Sequence, residues 1–224
     1  MPKIIETENT RPVTPADLRT PQAAAVAGLV FAALLTAIFL LFRTAVPADP
    51  REPGAWLNSH VRQVEIALNL LPFAGIAFLW FIGVLRDRLG PREDRFFSTV
   101  FFGSGLLFLA MLFAVAAFTG GMLVAFSVQP LAAIDSFVFH FARATAYNIA
   151  NIYMAKMAAV FMLTTSSLAI RTGMLPRWLA FMGFAFGLPL LFASYYLTWS
   201  FFVVPLWVAL ISGWILRDQL RAAR

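Results

Sequence analysis

From residue 23 to residue 216 the chain is a succession of apolar runs, each about 20 residues long and separated by short polar stretches. Within each run the apolar positions are continuous. They do not alternate with polar ones, as the strands of a membrane β-barrel do. A helix of about 20 apolar residues crosses the roughly 30 Å hydrocarbon core of a bilayer. The pattern therefore predicts an all-α, polytopic helical membrane protein. Six transmembrane helices fit, at residues 23–46, 66–85, 96–126, 146–170, 177–197 and 200–216. They form one domain over residues 23–217. Residues 1–22 are polar and proline-bearing and read as a flexible cytoplasmic tail. Within them, Thr14-Pro15-Ala16-Asp17 carries a helix-start signal: a capping threonine, proline at the first helical position, then an acid. Residues 218–224 form a short basic tail. The first apolar run is long for a cleaved signal peptide and is expected to be retained.

One stretch resists this threading. After Gly120-Gly121, the sequence MLVAFSVQPLAAIDSFVFHFAR is long enough for a seventh span or a re-entrant segment. A seventh span would bury Gln129, Asp135 and His140, so an outer amphipathic segment between helices 3 and 4, at residues 131–143, is the preferred reading. There Ile134, Phe137, Val138 and Phe141 share one helical face, and Ser136, His140 and Arg143 share the other.

Composition supports the membrane assignment. The chain is 61% hydrophobic and only 12% charged, about half the charge of a soluble domain. The net charge of +6 does not point to nucleic acid, because the basic residues flank apolar runs instead of forming a patch. With the N-terminus inside, Lys3, Arg11, Arg19, Arg86, Arg88, Arg92, Arg95, Arg171, Arg177, Arg217, Arg221 and Arg224 all fall on the inner side. Only Arg43, Arg51, Arg62 and Arg143 fall outside. That bias places both termini in the cytoplasm. The partners it implies are the bilayer itself and the anionic lipid headgroups of the cytoplasmic face. The absence of cysteine excludes disulfides, thiolate metal sites and cysteine nucleophiles.

Candidate chemistry centres on Lys156, a basic residue near the middle of the otherwise uncharged run between Arg143 and Arg171. A charge within a membrane segment is a functional candidate by default. Measured back from Arg171 by helical rise, Lys156 lies roughly 7–8 Å below the outer surface. Side chains of an inward-running helix lean toward that surface. Glu65, Asn69, Asn148, Asp135 and His140 fall on the same side and complete a candidate outer polar cluster. Thr145, Lys156 and Ser167 share a narrow face, with Asn151 nearly opposite. The ordinary alternative is a lysine that snorkels to the interface beside wet loop residues.

No catalytic residue set, metal site or cofactor is predicted. His60 and His140 have no supporting haem motif. Ser136 and His140 lack a nucleophile elbow, and no phosphate-binding loop is present. Gly183 and Gly187 form a G-x-x-x-G that lets helix backbones approach closely, within the chain or between copies. Pro72, Pro189 and Pro205 are candidate kinks in spans two, five and six. The charged loop RDRLGPREDR, residues 86–95, is a candidate dock for a cytoplasmic protein partner.

The arginine-for-lysine bias and the alanine richness give the chain a style that resembles small, uncharacterised multi-span membrane proteins of high-GC, actinobacterial-type bacteria. The resemblance covers the whole chain, rests on no diagnostic motif, and implies a bacterial inner membrane and no particular activity. The functional expectation is a non-catalytic accessory, scaffold or assembly subunit. The alternatives are a small transporter or channel-like protein using Lys156 for an anionic substrate or headgroup, and a lipid-modifying membrane enzyme.

Overall fold

A computed structural model of the chain describes residues 15–47, 49, 54–89, 95–128, 137–194 and 200–222. They form six apolar helices: α1 (Pro15–Ala45), α2 (Leu57–Leu89), α3 (Arg95–Val128), α4 (Phe137–Thr172), α5 (Arg177–Ala193) and α6 (Val203–Ala222). Five are long and apolar enough to cross a membrane, and α5 is a shorter apolar helix of 17 residues. At 1.5 Å per residue, α5 rises about 25 Å, the lower limit for a span. Its path shows that it crosses. It leaves α4 through a tight turn at Gly173, whose φ of 68° suits glycine. The residue after its last turn, Ser194, reaches Asn151, 21 residues before the end of α4. The chain is a multi-pass helical membrane protein.

The two ends of the bundle differ in charge. Arg171 at the end of α4 lies 4.2 Å from the Phe97 ring at the start of α3. Arg86 near the end of α2 stands 4.9 Å from Phe102. Trp178 of α5 meets Trp214 of α6 edge to face. The arginines at these helix ends therefore gather on one side, which the positive-inside rule makes cytoplasmic. Arg43 and Arg143 lie at the opposite end.

Aromatic rings fill the centre. Phe78 of α2 touches Phe31 of α1, Phe108 of α3 and Phe161 of α4, with ring centroids 4.7, 5.3 and 5.4 Å away. Phe161 in turn meets Phe101 of α3 and Trp207 of α6. Lipid tails are as apolar as these rings, so close packing rather than escape from water holds the helices together. The glycines serve that packing. Gly28 of α1 lies against Ser212 of α6, and Gly183 of α5 against Ser166 of α4 and Trp207 of α6. A Cβ on Gly187 would stand 3.0 Å from Leu163 and 3.5 Å from the Ala159 carbonyl oxygen. The G-x-x-x-G face is thus taken up inside the chain, by α4 and α6.

Several boundaries differ from the sequence expectation. Helix α1 begins at Pro15, at the Thr14-Pro15 start signal, so residues 15–22 continue the helix of the first span. Helix α2 begins at Leu57 rather than residue 66. Its extra turns bury Leu57 and Val64 and keep Asn58, Ser59 and Arg62 outside. Such a segment is a good helix of low hydropathy. Pro205 sits in the first turn of α6, where a missing N–H breaks no bond, so it does not kink that span. The largest difference is in α4. Residues 137–143, expected as a separate outer segment, and the fourth span are one helix of 36 residues. Between them, ARATAYN contains no glycine or proline to end it. Residues 129–136, with Gln129, Asp135 and Ser136, lie outside the described residues.

Candidate functional site

Helix α4 is not α-helical throughout. Ile149–Met154 is a π-helical turn between the α-helical segments Phe137–Asn148 and Ala155–Thr172. π-turns are frequent at functional sites, and they shift the register of a helix and release backbone groups. Here the Ala155 N–H donates to the Ala150 and Ile152 carbonyls and passes over that of Asn151, which an unbroken α-helix would use. The Ser194 hydroxyl donates to the Asn151 carbonyl instead, at 2.9 Å. The Asn151 side-chain amide returns to the Tyr147 carbonyl at 2.9 Å.

The π-turn forms one wall of a cavity of about 320 Å³ in the outer half of the bundle. Helices α1 and α3 form the facing walls, and Phe201 and Phe202, just before α6, close one side. The deep end is apolar: Ile38, Leu71, Leu112 and Met154. The outer end is polar: Arg43, Arg143 and Trp56. Along α4 the lining runs from Arg143 to Met154, roughly 16 Å of helical rise. Its size is at the lower end of small-ligand pockets, and a mostly apolar wall with a few convergent polar groups is their usual make-up.

Arg143 is 4% exposed. Its Nη2 donates to the carbonyls of Pro47 and Asp49, at 3.3 and 2.7 Å. Its guanidinium carbon stands 5.6 Å from the centre of the Trp56 ring. It therefore clamps the chain leaving α1 over the start of α4. The sequence placed Arg143 on the solvent-facing side of an amphipathic helix with His140; the structure turns it inward and leaves Phe137, Val138 and Phe141 exposed. The inward face is Phe139, Arg143 and Ala146. Phe139 packs with Leu57 and Met122 into a small separate core at the outer ends of α2 and α3. Backbone carbonyls 94 and 96 residues away hold this arginine, and no side-chain pattern announces them. The Trp56 indole N–H is buried and meets no acceptor among the described residues.

The expected outer polar cluster is placed differently. Lys156, Glu65, Asn69 and Asn148 are exposed, and no hydrogen bond or ion pair joins them to one another among the described residues. His140 is half-buried beside Phe139. None of these five residues lines the cavity. Lys156 follows the π-turn but faces away from it. Asn151, which helical spacing put opposite Lys156, is the residue that faces inward. The polar run 164–167 mostly serves its own helix: Thr164, Thr165 and Ser167 donate to carbonyls one turn back. Ser166 is the exception, pressed against Gly183.

Among the described residues the lining offers no carboxylate, imidazole or thiol, so the described walls hold no usual general acid–base pair. Among the described residues no group of three or more metal-ligating side chains occurs. What the arrangement supplies is shape, apolar surface and hydrogen-bonding groups. Compared with protein-family models, curated proteins and solved structures, the chain matches none.

Proposed function

We propose that this chain is a non-catalytic accessory protein of a bacterial inner membrane that holds a single-chain amphiphile in its outer-half cavity. The observation that carries this reading is the cavity itself: apolar at depth, polar at its outer end, and walled by three spans. A volume of about 320 Å³ suits one hydrocarbon chain better than a whole two-chain lipid. Among the described residues no acid–base pair lines the cavity, which favours holding a ligand over changing it.

The test is native mass spectrometry of the full chain from phosphatidylcholine nanodiscs containing a neutral single-chain lipid, monopalmitoylglycerol. One molecule should remain bound per chain, saturably. Ala150→Phe, which fills the cavity from α4, and Val46→Trp, which fills its mouth, should both abolish retention. Equal retention by folded variants would refute the reading.

A transporter is the second reading, and one observation favours it. The wall of the cavity is a π-turn rather than a regular helix, and such turns permit a change of helical register. Proteoliposome uptake of the amphiphile, lost in Ala150→Phe, would support transport over storage.

A further inference from the structure

Between the mouth of the cavity and its apolar floor stand two polar side chains, Thr119 of α3 and Asn151 of the π-turn. The aromatic centre fixes their level. Phe108 of α3 and Phe161 of α4 both touch Phe78. Thr119 lies 11 residues nearer the outer end than Phe108, and Asn151 lies 10 residues nearer it than Phe161. By helical rise each stands about 15 Å above those rings, so two walls of the cavity present them at one height. Each gives a hydrogen bond to its own helix. The Thr119 hydroxyl donates to the Val115 carbonyl at 2.8 Å, and Asn151 Nδ2 donates to the Tyr147 carbonyl at 2.9 Å. Each therefore keeps an acceptor: the lone pairs of Thr119 Oγ1 and those of Asn151 Oδ1. A planar amide whose nitrogen is tied back to its own helix turns its oxygen away from that helix. Asn151 Oδ1 receives no hydrogen bond among the described residues. Ser194 holds the Asn151 backbone and Tyr147 holds its amide nitrogen, so this oxygen is fixed in place before a ligand arrives.

Resting on the reading of the cavity as an amphiphile site, we propose that its ligand has a hydroxyl-bearing head, as an acylglycerol does. The O–H groups of that head donate to Asn151 Oδ1 and Thr119 Oγ1. The hydrocarbon chain packs on the deep lining, where Leu71, Leu112 and Met154 offer no hydrogen-bonding side chain of any strength. An acceptor left unpaired in an apolar enclosure costs stability, and a site that bonds a hydroxyl rejects the analogue lacking it for that reason.

The experiment is a competition in phosphatidylcholine nanodiscs, read by native mass spectrometry. Monopalmitoylglycerol competes with propyl palmitate, the same ester without its two hydroxyls. Both are offered to wild type, Thr119→Val, Asn151→Leu and the double variant. Wild type should prefer the glyceride by about fivefold or more, the effect of two neutral hydrogen bonds. Each single variant should lower that preference by about twofold or more. The double variant should retain the two lipids about equally, and its hold on propyl palmitate, no weaker than in wild type, shows that the cavity is intact. Equal retention of both lipids by wild type would overturn the proposal and leave the amphiphile site standing, as would an undiminished preference in the double variant. If Asn151→Leu loses both lipids, Thr119→Val, which keeps the shape of the side chain, decides alone: an unchanged preference there overturns the proposal. Retention of neither lipid by wild type would overturn both readings.

Discussion

Arg143 is a buried cation whose guanidinium bonds two backbone carbonyls and faces an indole ring. Hydrogen bonds to a charged group are worth about 1.5–3 kcal/mol each. Arg143→Gln should therefore destabilise the protein by about that amount and loosen the segment after α1. Thermal unfolding in nanodiscs checks the first effect, and hydrogen exchange at residues 46–49 the second. A variant as stable and as protected as wild type would remove Arg143 from this role. Lys156 is the contrasting case. Exposed, next to the π-turn and turned away from the cavity, it has the setting of a lysine that snorkels to the headgroups. Lys156→Leu should leave the unfolding temperature within about 2 °C of wild type and leave amphiphile retention unchanged. Loss of retention would restore the lysine to the site. Of these two charges, the sequence drew attention to the one that the structure leaves outside. A charge in an apolar run is conspicuous in sequence, whereas the carbonyls that bury Arg143 come from a distant, unpatterned turn.

At the scale of elements, hydropathy located all six helices, because lipid sorts residues by a property legible one residue at a time. It did not locate their ends. Residues 57–65 and 137–148 are helical but too polar to read as membrane-embedded, so α2 and α4 extend beyond their predicted starts. At 33 to 36 residues, α2, α3 and α4 are roughly 50 Å long, against a core of about 30 Å. Their surplus builds the small outer core around Leu57, Met122 and Phe139. The π-turn was illegible for a different reason. IANIYM has no composition that marks it, and the register shift is fixed from outside, where Ser194 of the next span takes the Asn151 carbonyl. Ser194→Ala removes that partner. Interhelical bonds in membranes average about 0.6 kcal/mol, so global stability should fall only slightly. Local exchange should respond more: the amides of residues 149–155 should exchange several-fold faster, in keeping with a bond of about 0.6 kcal/mol. Unchanged exchange there would show that the π-turn holds without Ser194.

For the whole molecule, the six helices make two unlike halves. Toward the cytoplasmic end, the buried rings of Phe31, Phe78, Phe101, Phe108, Phe161 and Trp207 pack the centre. Toward the outer end, α1, α3 and the π-turn of α4 part around a cavity with arginines at its mouth. A bundle meant only to pack would fill that space, since voids cost contacts. The sequence carried the bundle, its orientation and the packing glycines, but not the cavity. Its walls are ordinary apolar residues, and only three-dimensional placement makes them a site. The most direct test of that site is photolabelling in nanodiscs with a monopalmitoylglycerol bearing a diazirine midway along its chain, followed by peptide mapping. Label should concentrate on residues 112–122 of α3 and 143–154 of α4, and excess unlabelled monopalmitoylglycerol should suppress it. Label spread over the lipid-facing residues Phe73, Trp80 and Phe192, and insensitive to competitor, would contradict an amphiphile site in the cavity.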